Sequence, residues 1–237
     1  MVLSGAERQA KYRKRHPHKK KERRDKSRKL IKDYLFNNFC KCGEENPNKL
    51  CFHHICSDKK ILKISRLVSY SQTKLLEEID KCIVLCYNCH DLFHNGTNKS
   101  QTKRLINSYN NIQKNKRSSK KVKILLWLYK STCFCLKCNY KKSAGSLLFH
   151  HIESANKKKA ISQLKSISSI NQELSKTICL CRNCHEDFHY IYGKKTTKKQ
   201  LEEYTGKPII PLKVDIKDYL PLIDYQISNF YNLSFSL

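Results

Sequence analysis

Apolar positions along the chain mark helices by their spacing and strands by short apolar runs that alternate poorly. Leu30, Ile31, Tyr34, Leu35, Phe36 and Phe39 fall at helical spacing. They predict a helix over His18–Phe36 whose apolar stripe packs on the first of two modules. A shorter helix, Gly5–Arg15, is predicted before it. Pro17 separates the two, because proline disfavours the helical conformation in the residue that precedes it. Leu50–Ile55 is short and apolar enough for a strand, and Ile61–Val68 either extends it or forms a loop. Gln72–Lys81 has a helical pattern, with Leu75, Leu76 and Ile79 on one face and Glu77, Glu78 and Asp80 nearby. Cys82–Cys86 reads as a second strand and Tyr87–His94 as a helix that Asn95-Gly96 ends. Residues 97–121 are polar and lysine-rich, a linker with some helix around Thr102–Gln113.

The pattern then starts again. A helix over Val122–Lys130, with Ile124, Leu125, Leu126 and Leu128, leads to a strand at Leu147–Ile152 and a helix at Ala160–Ser175. A strand at Thr177–Cys181 and a helix at Arg182–Tyr190 complete the second module. The restart is visible residue by residue. Ile83–His94 reads IVLCYNCHDLFH and Ile178–His189 reads ICLCRNCHEDFH; the tetrapeptide FHHI stands upstream at Phe52–Ile55 and Phe149–Ile152. The offset is 95 residues for the first pair (83 to 178) and 97 for the second (52 to 149), a tandem duplication with a small deletion. The expected organisation is an N-terminal arm over 1–36, a module over 37–96, the linker 97–121, a second module with its leading helix over 122–192, and a tail over 193–237. Pro208–Leu237 is nearly neutral and rich in Tyr, Phe, Leu and Ile. It is expected to pack across the modules, with a partner-binding segment as the alternative. The class is α+β.

Charge adds a partner. Lys plus Arg outnumber Asp plus Glu 48 to 20 over 237 residues, a formal net charge of +28. Such a balance predicts a polyanion, most simply nucleic acid, against the alternative of a merely solvated lysine-rich surface. Residues 8–32 hold fourteen Lys or Arg and two acidic residues. Arg8, Lys11, Arg13, Lys14, Arg15, Lys19, Lys20, Lys21, Arg23 and Arg24 are the candidate DNA contacts, on a basic helical arm or a disordered basic tail. No apolar signal core opens the chain and no apolar run is long enough to span a membrane, so a soluble intracellular protein, not a secreted one, is expected.

The cysteines and histidines add chemistry. Of thirteen cysteines, eight fall in pairs: Cys40 and Cys42, Cys86 and Cys89, Cys135 and Cys138, Cys181 and Cys184. An odd total at this spacing fits structural zinc, about one ion per module, better than a disulfide framework. Each module is small enough to need such a staple. The knuckle Cys40-x-Cys42 is one residue shorter than the usual CxxC, so Cys51 or Cys56 could substitute; Cys133 competes with Cys135 in the second module. Eight of the ten histidines lie in the repeated motifs. Positions i and i+4 share a helix face, so His90 with His94 and His185 with His189 can point at a second site. Successive strand residues point to opposite faces, so within each His-His pair the roles should differ.

At Phe39–His94 and Phe134–His189 the chain resembles the HNH endonucleases of the His-Me finger, or ββα-metal, superfamily. The residues that carry the likeness are FHHI, the stretches Lys60–Ser65 and Glu78–Cys82, VLCYNCH and the closing His94, with FHHI and CLCRNCH closed by His189 in the second copy. The resemblance implies two tandem, zinc-stapled, treble-clef-like modules. It implies that His53, His90 and His94, and likewise His150, His185 and His189, hold a divalent ion such as Mg2+ or Mn2+, with His54 and His151 as general bases. The implied activity is metal-dependent cleavage or nicking of double-stranded DNA, with no small-molecule cofactor. A tandem zinc-finger binder that does not cut, and an RNase of the same fold, are the alternatives. Where the family places its middle Asn, this chain has Lys81 and Lys176; Asn88 and Asn183, between the cysteines, are either structural or stand in for it.

Overall fold

In the computed structural model residues 4–56, 58–98, 104 and 118–219 are described. The chain is α+β with two two-stranded sheets. It forms two compact units, Met1–Cys86 and Tyr87–Leu237, so the division falls at the strand–helix junction inside the span expected for the first module.

The first unit opens with α1 (Gly5–Arg15) and α2 (Pro17–Phe36). Ser4 and Glu7 form a reciprocal capping box on α1. Pro17 stands at the first position of α2, where a missing N–H costs nothing. β1 (Leu50–His54) pairs antiparallel with β2 (Cys82–Cys86), placing His53 opposite Ile83 and His54 opposite Cys82. Between the strands lie α3 (Ile64–Leu67) and α4 (Gln72–Ile79). Expectation and structure differ at Ile61–Val68, which neither extends the strand nor runs as plain loop. Ile64 and Leu67, three apart on α3, are buried with Leu75 and Ile79 of α4. The apolar end of α2, Leu30, Ile31 and Tyr34, packs on this cluster, and Tyr34 meets Phe52 at 5.6 Å between ring centres.

The second unit runs α5 (Tyr87–Asn95), α6 (Ser118–Thr132), β3 (Leu147–His151), α7 (Ile167–Leu174), β4 (Thr177–Cys181), α8 (Arg182–Tyr192) and α9 (Lys198–Thr205). β3 and β4 repeat the register of β1 and β2, with His150 opposite Ile178. The leading helix α6 starts earlier than its apolar pattern suggested, at Ser118 within the expected linker; of the helix expected around Thr102–Gln113 only Arg104 is described, and it is helical. The single helix expected over Ala160–Ser175 is broken into a 3-10 turn, Ile161–Gln163, and α7. Ser166 causes the break: its hydroxyl accepts the Ser169 N–H and starts a new helix, the local competition serine offers the backbone.

One apolar cluster joins α6 (Leu125, Leu128, Tyr129) to Ile161, Ile170, Leu174 and Ile216. Another joins Leu147, Ile178 and Leu180 to Phe188, Leu201, Tyr204 and Ile209. Ile209 and Ile216 belong to the tail, whose Leu212 N–H donates to the Thr177 carbonyl at 3.0 Å. Residues 208–219 thus pack within the second unit, and residues 220–237 lie outside the described residues.

Asn88 and Asn183 are used as reciprocal caps. The Asn88 N–H donates to Asn183 Oδ1 at 3.0 Å and the Asn183 N–H to Asn88 Oδ1 at 3.2 Å, both residues buried. Each side chain satisfies an N–H in the first turn of the other helix, where no intrahelical partner exists. Arg182 adds an ion pair to Asp91 at 3.1 Å and lies over the Tyr87 ring. Among the described residues no helix is long and apolar enough to cross a membrane.

Candidate metal centres

Each centre is built from a knuckle, a hairpin and a helix. In the first knuckle Gly43 adopts φ 88° just after Cys42, and Cys40 closes the turn by donating its N–H to the Glu44 carbonyl at 2.9 Å. In the second, Asn139 adopts φ 59° just after Cys138, and Cys135 donates to the Tyr140 carbonyl at 2.9 Å. Glycine and asparagine are the residues that enter this left-handed region most readily. The missing residue of Cys40-x-Cys42 therefore shortens the turn without losing the cluster.

Cys40, Cys42, Cys86 and Cys89 offer sulfurs that all lie within 4.8 Å of one another, and so do Cys135, Cys138, Cys181 and Cys184. Cys51 and Cys56 stay outside the first set, and Cys133 outside the second. The Cys42–Cys86 and Cys138–Cys181 sulfurs are each 3.7 Å apart. Four thiolates about 2.3 Å from a tetrahedral zinc stand roughly 3.8 Å from one another. Both clusters could hold a zinc ion. Hydrogen bonds from Cys138, Cys181 and Cys184 hold the Cys135 thiol well below its ordinary range, so one sulfur of the set already favours the thiolate a metal needs.

The hairpins and helices gather the imidazoles. His53, His90 and His94 offer ring nitrogens within 4.8 Å of one another, and so do His150, His185 and His189. In the second set His150 Nε2 and His189 Nε2 lie 3.2 Å apart. Two nitrogens each about 2.1 Å from one ion leave roughly 3.0 to 3.4 Å between them. His189 is also oriented from behind: its Nδ1 meets the Gly193 carbonyl at 2.7 Å, which leaves the Nε2 lone pair for the centre. Gly193 reaches that position at φ 77°, where it ends α8. His150 is buried among these rings. Burial first, and then His185 and His189, pull it down to about 3, so it stands neutral. Among the described residues its Nδ1 has no hydrogen-bond partner, and His185 Nδ1 lies 3.6 Å from Glu186 Oε1.

The second histidine of each pair goes elsewhere. His54 Nε2 lies 2.9 Å from Glu78 Oε1, and His151 Nε2 lies 2.9 Å from Glu173 Oε1. Both carboxylates are buried, and both take a backbone N–H from the loop after the hairpin's first strand, Ile61 at 2.9 Å and Lys158 at 3.0 Å. Lys81 and Lys176 hold the other oxygens, at 2.9 and 3.0 Å. Burial pushes the Glu78 carboxyl up, but Lys81, His54 and the Ile61 N–H together outweigh it and hold the group at about 2. Glu173 is held at about 2 in the same way, against burial, by the Lys158 N–H, Lys176 and His151.

These glutamates were not singled out as site residues from the sequence. A signal for them exists nonetheless. When Gln72–Cys82 is set against Ile167–Thr177, the only identical residues are Glu78 with Glu173 and Lys81 with Lys176.

Among the ten candidate DNA contacts on α1 and α2, Arg8, Lys11, Lys14, Arg15, Lys19, Lys20, Lys21 and Arg23 are exposed and Arg24 is half-buried; Arg13 is not among the described side chains. The two acidic residues of this stretch pair with Lys26 and Arg28, at 2.8 and 3.3 Å. Compared with family models, curated proteins and solved structures, the chain has no match in any of the three.

Proposed function

We propose that the chain is a metal-dependent HNH endonuclease or nickase that hydrolyses phosphodiester bonds in double-stranded DNA, built from two tandem zinc-stapled ββα-metal modules. One observation carries this reading. In each repeat three imidazoles gather within 4.8 Å of one another, while the second histidine of the strand pair is held instead by a buried carboxylate. A structural zinc site has no use for that division, since four cysteines already complete it.

His53, His90 and His94 hold a divalent ion in one module, and His150, His185 and His189 in the other. Such an ion, when bound, supplies positive charge for the scissile phosphate and the leaving oxygen. His54 and His151 accept a proton from the attacking water, which imidazole does well because its free pKa lies near neutrality. The exposed basic residues of α1 and α2 bind phosphates, which gives a use to part of the charge excess.

The test is incubation of the full chain with supercoiled plasmid and Mg2+ or Mn2+, with and without chelator. Nicked or linear product that needs the metal is expected. Retention of DNA without cleavage under every metal tried would replace this reading with that of a tandem zinc-bearing DNA-binding protein.

A further inference from the structure

We infer that Glu78 and Glu173 are positioning residues: each fixes the ring of the neighbouring histidine, His54 or His151, through Nε2 and so makes Nδ1 the nitrogen that works. The inference rests on the reading of those histidines as bases and adds the residue that sets their direction and tautomer.

Hydrogen-bond accounting places the proton. Glu78 Oε1 already accepts the Ile61 N–H, and its Oε2 accepts from the Lys81 ammonium. Glu173 does the same with Lys158 and Lys176. A carboxylate held against an ammonium in this way is ionised, and an ionised carboxylate can only accept. The His54 and His151 nitrogens at 2.9 Å must therefore carry the proton. With Nε2 as donor, the neutral ring keeps its lone pair on Nδ1.

The backbone contacts add a second consequence. Ile61 and Lys158 sit in the loops after β1 and β3, so one carboxylate ties the histidine, the loop after it and the last turn before the second strand into one piece. The duplication supplies an internal control. Around these two residues the helices have diverged at every other position from 72 to 82 against 167 to 177, including the face that packs, where Leu75 answers to Ile170 and Ile79 to Leu174. Apolar packing accepts such exchanges. The glutamate and lysine did not change, and a buried ion pair is by itself weak support for stability. A demand from the histidine explains their retention in both copies.

The experiment reads the tautomer directly. In the zinc-loaded full chain, long-range 15N–1H spectra of the imidazoles should show His54 and His151 as Nε2–H rings. Glu78→Ala should abolish that preference at His54 alone, and Glu173→Ala at His151 alone. Single-turnover plasmid nicking, measured for one centre in a background where the other base is alanine, should fall by about ten- to a hundredfold, by analogy with the loss of a partner that orients a metal-ligating histidine. Plasmid affinity and zinc content should hold. Glutamine at either position, which keeps an acceptor oxygen, should recover most of the rate. An Nδ1–H ring at either histidine in the parent protein overturns the inference even if an alanine variant does not fold. So does an alanine variant that keeps both tautomer and rate. A parent that shows the expected tautomers but cuts no DNA under any metal would overturn the nuclease reading and leave the positioning role standing.

Discussion

The first knuckle closes between Cys40 and Glu44 and the second between Cys135 and Tyr140, one residue longer, yet both deliver four sulfurs to one place. The surroundings differ far more than the ligands do. β2 is only partly buried, whereas every residue of β4 is buried. Phe93 is 68% exposed, and its counterpart Phe188 is fully buried. The cause lies downstream of α8. There α9 brings Leu201 and Tyr204 onto Phe188, and the Tyr204 hydroxyl donates to Asp187 at 3.0 Å. Ligand geometry thus needs only the knuckle, a two-stranded ladder and the start of a helix. An apolar cover adds stability to one copy without changing the arrangement of its donors.

The strongest way to break this equivalence is chemical. His54→Ala and His151→Ala should each silence one centre, because loss of a general base typically costs roughly 10² to 10⁴ in rate. If each centre cuts one strand, either single variant nicks supercoiled plasmid without linearising it, and the double variant does neither. A single substitution that leaves plasmid cleavage unchanged would show that the two centres are alike in geometry only.

The covering layer should separate the copies thermodynamically. Phe188→Ala should cost about 3–5 kcal/mol of stability, the range for a buried aromatic. Phe93→Ala should stay within about 0.5 kcal/mol, as exposed positions do. Denaturant titration of both variants, with zinc kept saturating, checks the difference; equal losses would mean that Phe93 is covered in solution.

Zinc provides the next comparison. The parent should carry about two tightly bound ions per chain, as small metal-stapled folds require. Cys40→Ser and Cys135→Ser should each remove about one, measured by elemental analysis of protein purified without chelator. Full zinc content after Cys40→Ser would mean that a neighbouring thiol takes its place. The smallest effect concerns the arm alone: deleting residues 1–28 should flatten the slope of log K against log salt for DNA binding, since fewer counterions are released. An unchanged slope would show that α1 and α2 do not touch phosphates.

Much of the local architecture was legible because it depends on short-range patterns. Both ends of β2, β4 and α1 were readable from short apolar runs and from Pro17, whereas the histidine triads rested on the family resemblance and spacing left Cys51, Cys56 and Cys133 open as ligands until the fold gathered the two sets. The break before α7 was not, because a serine can either ride in a helix or cap a new one, and the choice depends on where Ile161 and Ile170 must be buried together. The short helix α3 escaped for a similar reason: four residues carry too little periodicity, and it forms because Ile64 and Leu67 find Leu75 and Ile79.

By itself, then, the sequence determined the duplication, the paired cysteines, the recurrent histidines and the basic arm, since these are matters of residue type and spacing; which of the thiols and imidazoles gather at one place was decided by the fold. Only the tertiary structure decided the partners of the remaining groups. Asn88 and Asn183 cap each other across 95 residues of chain, from 88 to 183, and Glu78 reaches His54 over 24 and Glu173 reaches His151 over 22. Such pairs have no local signature. A buried polar atom must find a partner wherever the fold brings one within about 3 Å, and the chain settles that only when the hairpins, helices and loops have packed.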